Sequence, residues 1–293
     1  MSLLNELPAA ISSVTAAVSP AIVSIGRRHR GSGFVIAPGR VVTNAHNIRG
    51  EEVTVTFADG RTTRGRVAGA DIDGDLAVVE VETGEVPPLA WAPEASLAAG
   101  AVVFGVGATP GGGARVTFGI VSAISRAFRG PGGRRIAGSV EHTAPLAAGS
   151  SGGPITDAVG RVLGINTNRL GEGFYLARPA DSSLQERVGE LARGVTTTRR
   201  RLGVAIAPAH VARRLRRSVG LPDREGLLVR GVEDGSPAET SGIAQGDLIV
   251  AIDGVPVIDP DDLVEAIARS GSSYRVGLVR GAEELEVTVA DEA

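Results

Sequence analysis

Gly149-Ser150-Ser151-Gly152-Gly153-Pro154 sets a serine hydroxyl in a turn framed by glycines, and the chain then runs directly into Ile155 and the apolar stretch Val162–Asn166. Gly149 and the Gly152-Gly153 pair admit backbone conformations closed to residues with a Cβ, so amides can converge on one point beside the Ser151 oxygen. The amides of Gly149 and Ser151 are the candidate oxyanion donors. A glycine-serine stretch alone would be a flexible loop, but one followed at once by a proline and a strand pattern is a placed turn. Upstream stand Thr43-Asn44-Ala45-His46 and Asp75-Leu76-Ala77-Val78-Val79. An imidazole, a carboxylate and a hydroxyl in that order read as a charge system for hydrolysis: the imidazole takes the hydroxyl proton and the carboxylate fixes its tautomer.

The sequence limits which residues can play each part. It has four histidines: His29 in the basic turn Arg27-Arg28-His29-Arg30, His142 only nine residues before Ser151, His210 in the C-terminal third, and His46. His46 follows the apolar strand Val41-Val42-Thr43 and is the natural base. Asp75 precedes a run apolar enough to be a buried strand, which favours it over its neighbours Asp71 and Asp73. Taken singly, a histidine at a strand end is usually structural and an aspartate beside glycine is usually a turn residue. The assignment gains its force from the three together.

Short apolar runs broken by glycine recur from Ala21 to Ala177, with turns at Pro38-Gly39 and Asp59-Gly60, and they predict an all-β domain of barrel or sandwich type. Before it, Leu3, Leu4, Leu7, Ile11, Val14 and Val18 form an amphipathic helical pattern closed by Pro20, suited to packing on its own domain or on a partner subunit. A helix at Asp181–Leu191 ends the domain. A polar connector follows, then a smaller unit of strands at Leu202–Ile206, Leu227–Val232, Tyr274–Val279 and Leu285–Val289, with helices at Ala209–Val219 and Asp261–Ala268. The expected organisation is a helical segment at 1–19, the β domain at 20–192, a linker at 193–201 and the smaller domain at 202–293.

The composition is that of an ordinary folded chain: 293 residues, 43% apolar, 22% charged, with a formal net charge of −3. Near-neutrality gives no general attraction to nucleic acid. The arginine runs at Arg199–Arg201 and Arg213–Arg217 lack interleaved aromatics and read as solvated surface. All thirty basic residues are arginine, and no cysteine is present, which excludes disulfides, thiol nucleophiles and thiolate metal sites. No histidine pair has metal-ligand spacing and no nucleotide-binding turn is evident, so neither a metal nor another cofactor is expected. No apolar run reaches membrane-spanning length. With no basic residue before Arg27, the start lacks a signal peptide's charged region; the sequence as it stands reads as cytoplasmic, or as periplasmic or otherwise extracytoplasmic if a targeting segment has been removed.

In order and spacing, the His46, Asp75 and Ser151 motifs resemble the chymotrypsin-fold proteases of the HtrA (Deg) family. The similarity runs from about Ala16 through Val116-Thr117-Phe118-Gly119-Ile120-Val121-Ser122, Gly164-Ile165-Asn166-Thr167 and Gly173-Phe174. It implies a mainly β chain, a chymotrypsin-like double β-barrel protease domain followed by a small α+β PDZ domain. By position it makes His46 the general base, Asp75 its orienting acid and Ser151 the nucleophile. The chain departs from the family's common pattern at Ser150, where asparagine is usual, and at Ala147-Ala148, where Asn-Pro is usual. Leu146 and the Ile165-Asn166-Thr167 segment are expected to line a small apolar pocket, implying cleavage after aliphatic residues.

Ser236-Pro237-Ala238-Glu239-Thr240-Ser241-Gly242-Ile243-Ala244-Gln245-Gly246-Asp247-Leu248-Ile249-Val250-Ala251-Ile252-Asp253-Gly254 looks like a PDZ domain. That resemblance marks the amides of Leu202, Gly203 and Val204 as facing a peptide carboxylate, with Leu263 and Ile267 bordering the side-chain pocket. Together the two resemblances imply a serine endopeptidase for unfolded or damaged proteins, with PDZ-assisted capture of C-terminal peptides and, from the family's habit, a homo-oligomer, typically a trimer. A noncatalytic chaperone or PDZ scaffold of the same architecture, and an esterase using the same chemistry, are the alternatives.

Overall fold

A computed structural model describes residues 3–92, 97–129, 135–171, 173–196 and 201–290. The chain divides into two compact units, Met1–Thr198 and Arg199–Ala293. The expected linker at 193–201 brackets this division, although its residues 197–200 lie outside the described residues.

The first unit holds two closed six-stranded barrels. The first barrel contains β1 (Ile22–Ile25), β2 (Gly31–Ala37), β3 (Arg40–Thr43), β4 (Glu52–Thr56), β5 (Thr62–Asp71) and β6 (Leu76–Glu80), in the order β1-β2-β3-β6-β5-β4. The second contains β7 (Val102–Ala108), β8 (Ala114–Arg129), β9 (Arg135–His142), β10 (Pro154–Thr156), β11 (Val162–Gly171) and β12 (Phe174–Pro179), in the order β10-β11-β12-β9-β8-β7. All pairings are antiparallel and closure leaves no sheet edge. Barrel rather than sandwich is thus the form the short strands take.

Leu76, Ala77, Val78 and Val79 do not alternate with polar residues because both faces of β6 are covered. The inner face looks into the barrel. Against the outer one packs α2 (Ser182–Ala192), through Leu184, Val188 and Leu191. Asp181 starts this helix by accepting from the Leu184 amide at 2.8 Å. The amphipathic N-terminal pattern forms α1 (Leu3–Val18), whose Val14 and Val18 are fully buried in the same core. Its C-terminal half therefore packs on its own domain. Burying each such valine or leucine stabilises the fold by roughly 1.5–3 kcal/mol. That core also includes Phe104, Val106, Val162 and Ile165 of the second barrel, so one continuous apolar mass joins β3 and β6 to β7 and β11.

The second unit is a sheet of β13 (Val204–Ala207), β14 (Leu227–Val232), β15 (Leu248–Ile252), β17 (Ser273–Arg280) and β18 (Glu283–Ala290) in that order, with β16 (Val255–Pro256) beside β15. Helices α3 (Ala209–Ser218), α4 (Pro237–Thr240) and α5 (Pro260–Arg269) accompany it. A capping box between Asp259 and Asp262 starts α5 directly before Pro260 at its first position. This is an α+β domain consistent with a PDZ fold, and β13 is an edge strand of its sheet.

Candidate active site

Thr43 ends β3, and the short helical turn Ala45–Asn47 follows it, so His46 emerges where the strand leaves the barrel. Asp75 stands one residue before β6, which pairs with β3 from Thr43↔Ala77 onward. Sheet register therefore brings the imidazole and carboxylate together. His46 Nδ1 lies 2.9 Å from both Asp75 oxygens, and the His46 amide donates to Asp75 Oδ1 at 3.1 Å. Asp75 is only 1% exposed, whereas the His46 side chain is 29% exposed. A buried carboxylate that accepts from Nδ1 leaves Nε2 as the ring nitrogen facing outward.

Asp75 adopts φ +53, a left-handed conformation that a non-glycine residue keeps only when its surroundings impose it. Here Asn44 Nδ2 holds the Asp75 carbonyl at 2.8 Å and the Thr167 hydroxyl donates to Asp75 Oδ2 at 2.8 Å. The competing carboxylate Asp71 is engaged elsewhere, since it accepts from the Gly74 amide at 2.8 Å and pairs with Arg187 at 3.2 Å. Arg178 donates to the Gly74 carbonyl at 2.6 Å, and burial pushes its pKa down against the pull of Asp71.

Ser151 sits in the loop between β9 and β10. Its carbonyl accepts from the Ser32 amide at 2.8 Å and from Asn47 Nδ2 at 2.9 Å, tying the serine to the residue after His46. Its hydroxyl donates to the Thr167 carbonyl at 3.3 Å. Among the described residues no hydrogen bond joins Ser151 to His46; Thr167 and Asn47 link the three groups instead. Rotation about the serine χ1 re-aims the hydroxyl, and contacts of this kind commonly tighten only when substrate is bound.

The turn around the serine is ordered by its backbone. Ser150, Gly152 and Gly153 amides donate to Ala147, Asn166 and Ser150 carbonyls at 3.1, 2.8 and 3.0 Å. The amides of Gly149 and Ser151 make no hydrogen bond among the described residues, so two alternate donors are left over. Gly152 has φ +88, and a Cβ there would overlap the Ser32 carbonyl, which explains the glycine.

The expected substrate wall divides. Leu146 is partly exposed near the serine loop, with no acidic residue in Ala144–Ser150. Ile165, by contrast, is fully buried in the barrel core, and Asn166 is 1% exposed. Asn166 Nδ2 donates to the Pro154 carbonyl and its Oδ1 meets His142 Nε2, both at 3.0 Å. Their side chains do not line an open pocket: Ile165 points inward because β11 must fill the barrel, and Asn166 is consumed in holding the serine loop. Thr167 faces Asp75 rather than a pocket. Ser32, Asn44, Asn47 and His142, all buried, tie these loops together by hydrogen bonds. The one signal the sequence offers for them is a polar side chain standing within or beside an apolar strand pattern.

In the second unit, Leu202, Gly203, Val204, Leu263 and Ile267 do line one groove, of about 670 Å³, between the edge strand β13 and α5. Leu202, Leu263 and Ile267 also pack into the domain core. Gly203, at φ +79, bends the chain so that its carbonyl accepts from the Glu233 amide at 2.8 Å, and a Cβ there would overlap Ser236.

Comparison with known proteins places both units. Residues 31–165 match the trypsin-like peptidase domain family, and residues 228–280 match the PDZ domain family. The chain is 35% identical over 278 residues to the putative serine protease HhoA of Synechocystis sp., covering 89% of this chain and 70% of that protein. It is 32% identical over 272 residues to a probable periplasmic serine endoprotease DegP-like protein of Halomonas elongata, covering 90% and 56%. For the corresponding Brucella suis protein the identity is 34%, with 89% and 52% covered. The chain thus spans about half the length of these DegP-like relatives. Among solved structures, the serine endoprotease from Yersinia pestis superposes with a TM-score of 0.69 at 25% identity, covering 96% of both chains. The HtrA-type protease AlgW with a decapeptide shares the fold at a TM-score of 0.72 and 24% identity, again over 96% of both.

Proposed function

Because the chain belongs to the HtrA/DegP-like serine proteases, with a trypsin-like protease domain followed by a PDZ domain, we propose that it is an endopeptidase in which Ser151 attacks the scissile carbonyl of an unfolded polypeptide. His46 takes the serine proton at Nε2 and returns it to the leaving amine. Asp75 holds the imidazole tautomer through Nδ1 and stabilises the imidazolium that forms. The amides of Gly149 and Ser151 receive the oxyanion. The observation that carries this reading is the 2.9 Å contact between His46 Nδ1 and a carboxylate that is itself almost fully buried.

Leu146 and the uncharged serine loop favour small or medium aliphatic residues before the scissile bond. The groove between β13 and α5 captures a chain terminus, with the amides of Leu202, Gly203 and Val204 on the carboxylate and Leu263 and Ile267 against the last side chain. A protein holding one exposed segment while cutting another suits the removal of unfolded or damaged proteins. The DegP-like relatives are named as periplasmic, which favours an extracytoplasmic site of action for this chain as well. The family's habit extends the proposal to a homotrimer, to be read by light scattering on the purified protein.

The direct test is degradation of casein followed by electrophoresis, with wild-type protein and Ser151→Ala prepared identically. Fragments must accumulate with the former and not the latter. Equal cleavage by both rejects the assignment.

A further inference from the structure

His29 stands in the five-residue connection between β1 and β2, where Gly26 at φ +82 and His29 at φ +51 turn the chain sharply back. The His29 amide donates to the Gly26 carbonyl at 3.1 Å and the Arg30 amide to the Ile25 carbonyl at 2.8 Å. This tight connection carries the imidazole to the serine loop. Its Nδ1 meets the buried hydroxyl of Ser24 at 2.9 Å, and the Ala148 carbonyl lies near enough to the ring to pull its pKa upward. A Cβ on Gly149 would overlap Nε2, so the ring occupies the space that the glycine leaves.

The consequence follows from the turn itself. Ala147–Ser150 is closed by the Ser150 amide on the Ala147 carbonyl, and Gly149 in its third position has φ +84, the signature of a type II turn. Types I and II differ by inversion of the central peptide, here Ala148–Gly149, and an Ala-Gly pair accommodates both. Inversion would swing the Ala148 carbonyl to where the Gly149 N–H now points. Ser32 secures the next carbonyl, that of Gly149, at 2.6 Å, but leaves the central peptide free to choose.

We infer that His29 is a positioning residue for the oxyanion donor: anchored by Ser24, its Nε2–H holds the Ala148 carbonyl and thereby fixes the Gly149 amide on the side of Ser151. This rests on the reading of Ser151 as nucleophile. Burial, with Arg115 nearby, holds the ring's pKa below the ordinary histidine value, against the pull of the Ala148 carbonyl. The neutral ring then accepts the Ser24 hydroxyl at Nδ1 and keeps its proton at Nε2.

His29→Asn and His29→Gln test it in the full chain. Asparagine tolerates the left-handed backbone but is too short to reach Ala148, whereas glutamine carries an N–H close to the position of Nε2. For a chromogenic peptide, His29→Asn should lower kcat tenfold or more with KM within threefold, and His29→Gln should recover most of the loss. Ser24→Ala, which frees the ring, should fall between them. Wild-type kcat in His29→Asn, or a His29→Gln protein as slow as His29→Asn, would overturn the proposal. Should wild-type protein be no faster than Ser151→Ala, the nucleophile assignment fails separately. Nitrogen-15 NMR of the imidazole in Ser151→Ala then decides: an Nε2–H tautomer at His29 supports the clamp, and an Nδ1–H tautomer or a charged ring at pH 7.5 rejects it.

Discussion

The hydroxyl of Thr167 donates to Oδ2 of Asp75 at 2.8 Å, while the carbonyl of the same residue accepts the Ser151 hydroxyl at 3.3 Å. One residue on β11 therefore touches both ends of the proposed charge system. Thr167→Val preserves shape and removes the donor from a buried carboxylate. A hydrogen bond to a charged group contributes about 1.5–3 kcal/mol, so kcat/KM should fall roughly 10- to 150-fold. Steady-state kinetics on a short peptide would reveal it, and an unchanged kcat/KM would show that Asp75 is held adequately without Thr167.

Specificity should rest on Leu146 more than on β11, whose Ile165 and Asn166 side chains are buried. With no acidic residue in Ala144–Ser150 to pair with a basic side chain, cleavage after arginine or lysine should be disfavoured by about a thousandfold relative to valine, alanine or leucine. Mass-spectrometric mapping of cuts in an unfolded substrate checks this; a majority after basic residues would contradict it.

Two groups of residues are legible in the sequence alone, for different reasons. The His46, Asp75 and Ser151 motifs stand out because each combines a polar group with strand-like or glycine-rich surroundings. The barrel strands β1 to β3 and β6 are visible as apolar runs. By contrast, β9 is not, since its Arg135, Gly138, Ser139 and Glu141 interrupt the pattern and its pairing with β8 and β12 rests on backbone hydrogen bonds. Nor can Thr167 be told from a pocket residue: which face of β11 it presents depends on register with β12, which shifts between Asn166 and Asn168. His29 is hidden because its proposed role depends on a turn about 120 residues away in the other barrel, brought alongside where Ser32 of β2 bonds the Gly149 and Ser151 carbonyls.

His142 is fully buried, bonded to Asn166 through Nε2 and stacked on Tyr175, and burial lowers its pKa to about 4. An unfolded histidine titrates near 6.5. Between those values the unfolded chain binds a proton that the folded one refuses, so stability falls as pH drops from about 7 towards 4. The full gap corresponds to about 3 kcal/mol. Urea denaturation of wild type and His142→Gln across this range should show a shallower pH slope in the variant, and parallel slopes would remove His142 from the account.

For the groove between β13 and α5, a hydrophobic peptide with a free C-terminus should bind more tightly than its amidated form. Charge-assisted hydrogen bonds to consecutive amides contribute about 1.5–3 kcal/mol, a difference of roughly 10- to 150-fold in Kd. Calorimetry on full-length Ser151→Ala, which spares the peptide from cleavage, is suitable. Equal affinities would refute carboxylate recognition.

The most direct measurement on the central claim is covalent trapping. A fluorophosphonate reacts with a serine activated by a neighbouring base and held beside oxyanion donors, and leaves a mass tag on the oxygen that attacked. Tryptic peptides of the treated protein should carry one tag, on Ser151, with labelling lost in Ser151→Ala and slowed at least a hundredfold in His46→Ala. A tag on another serine, or full proteolysis of casein by protein that takes up no label at Ser151, would contradict the assignment of Ser151 as the nucleophile.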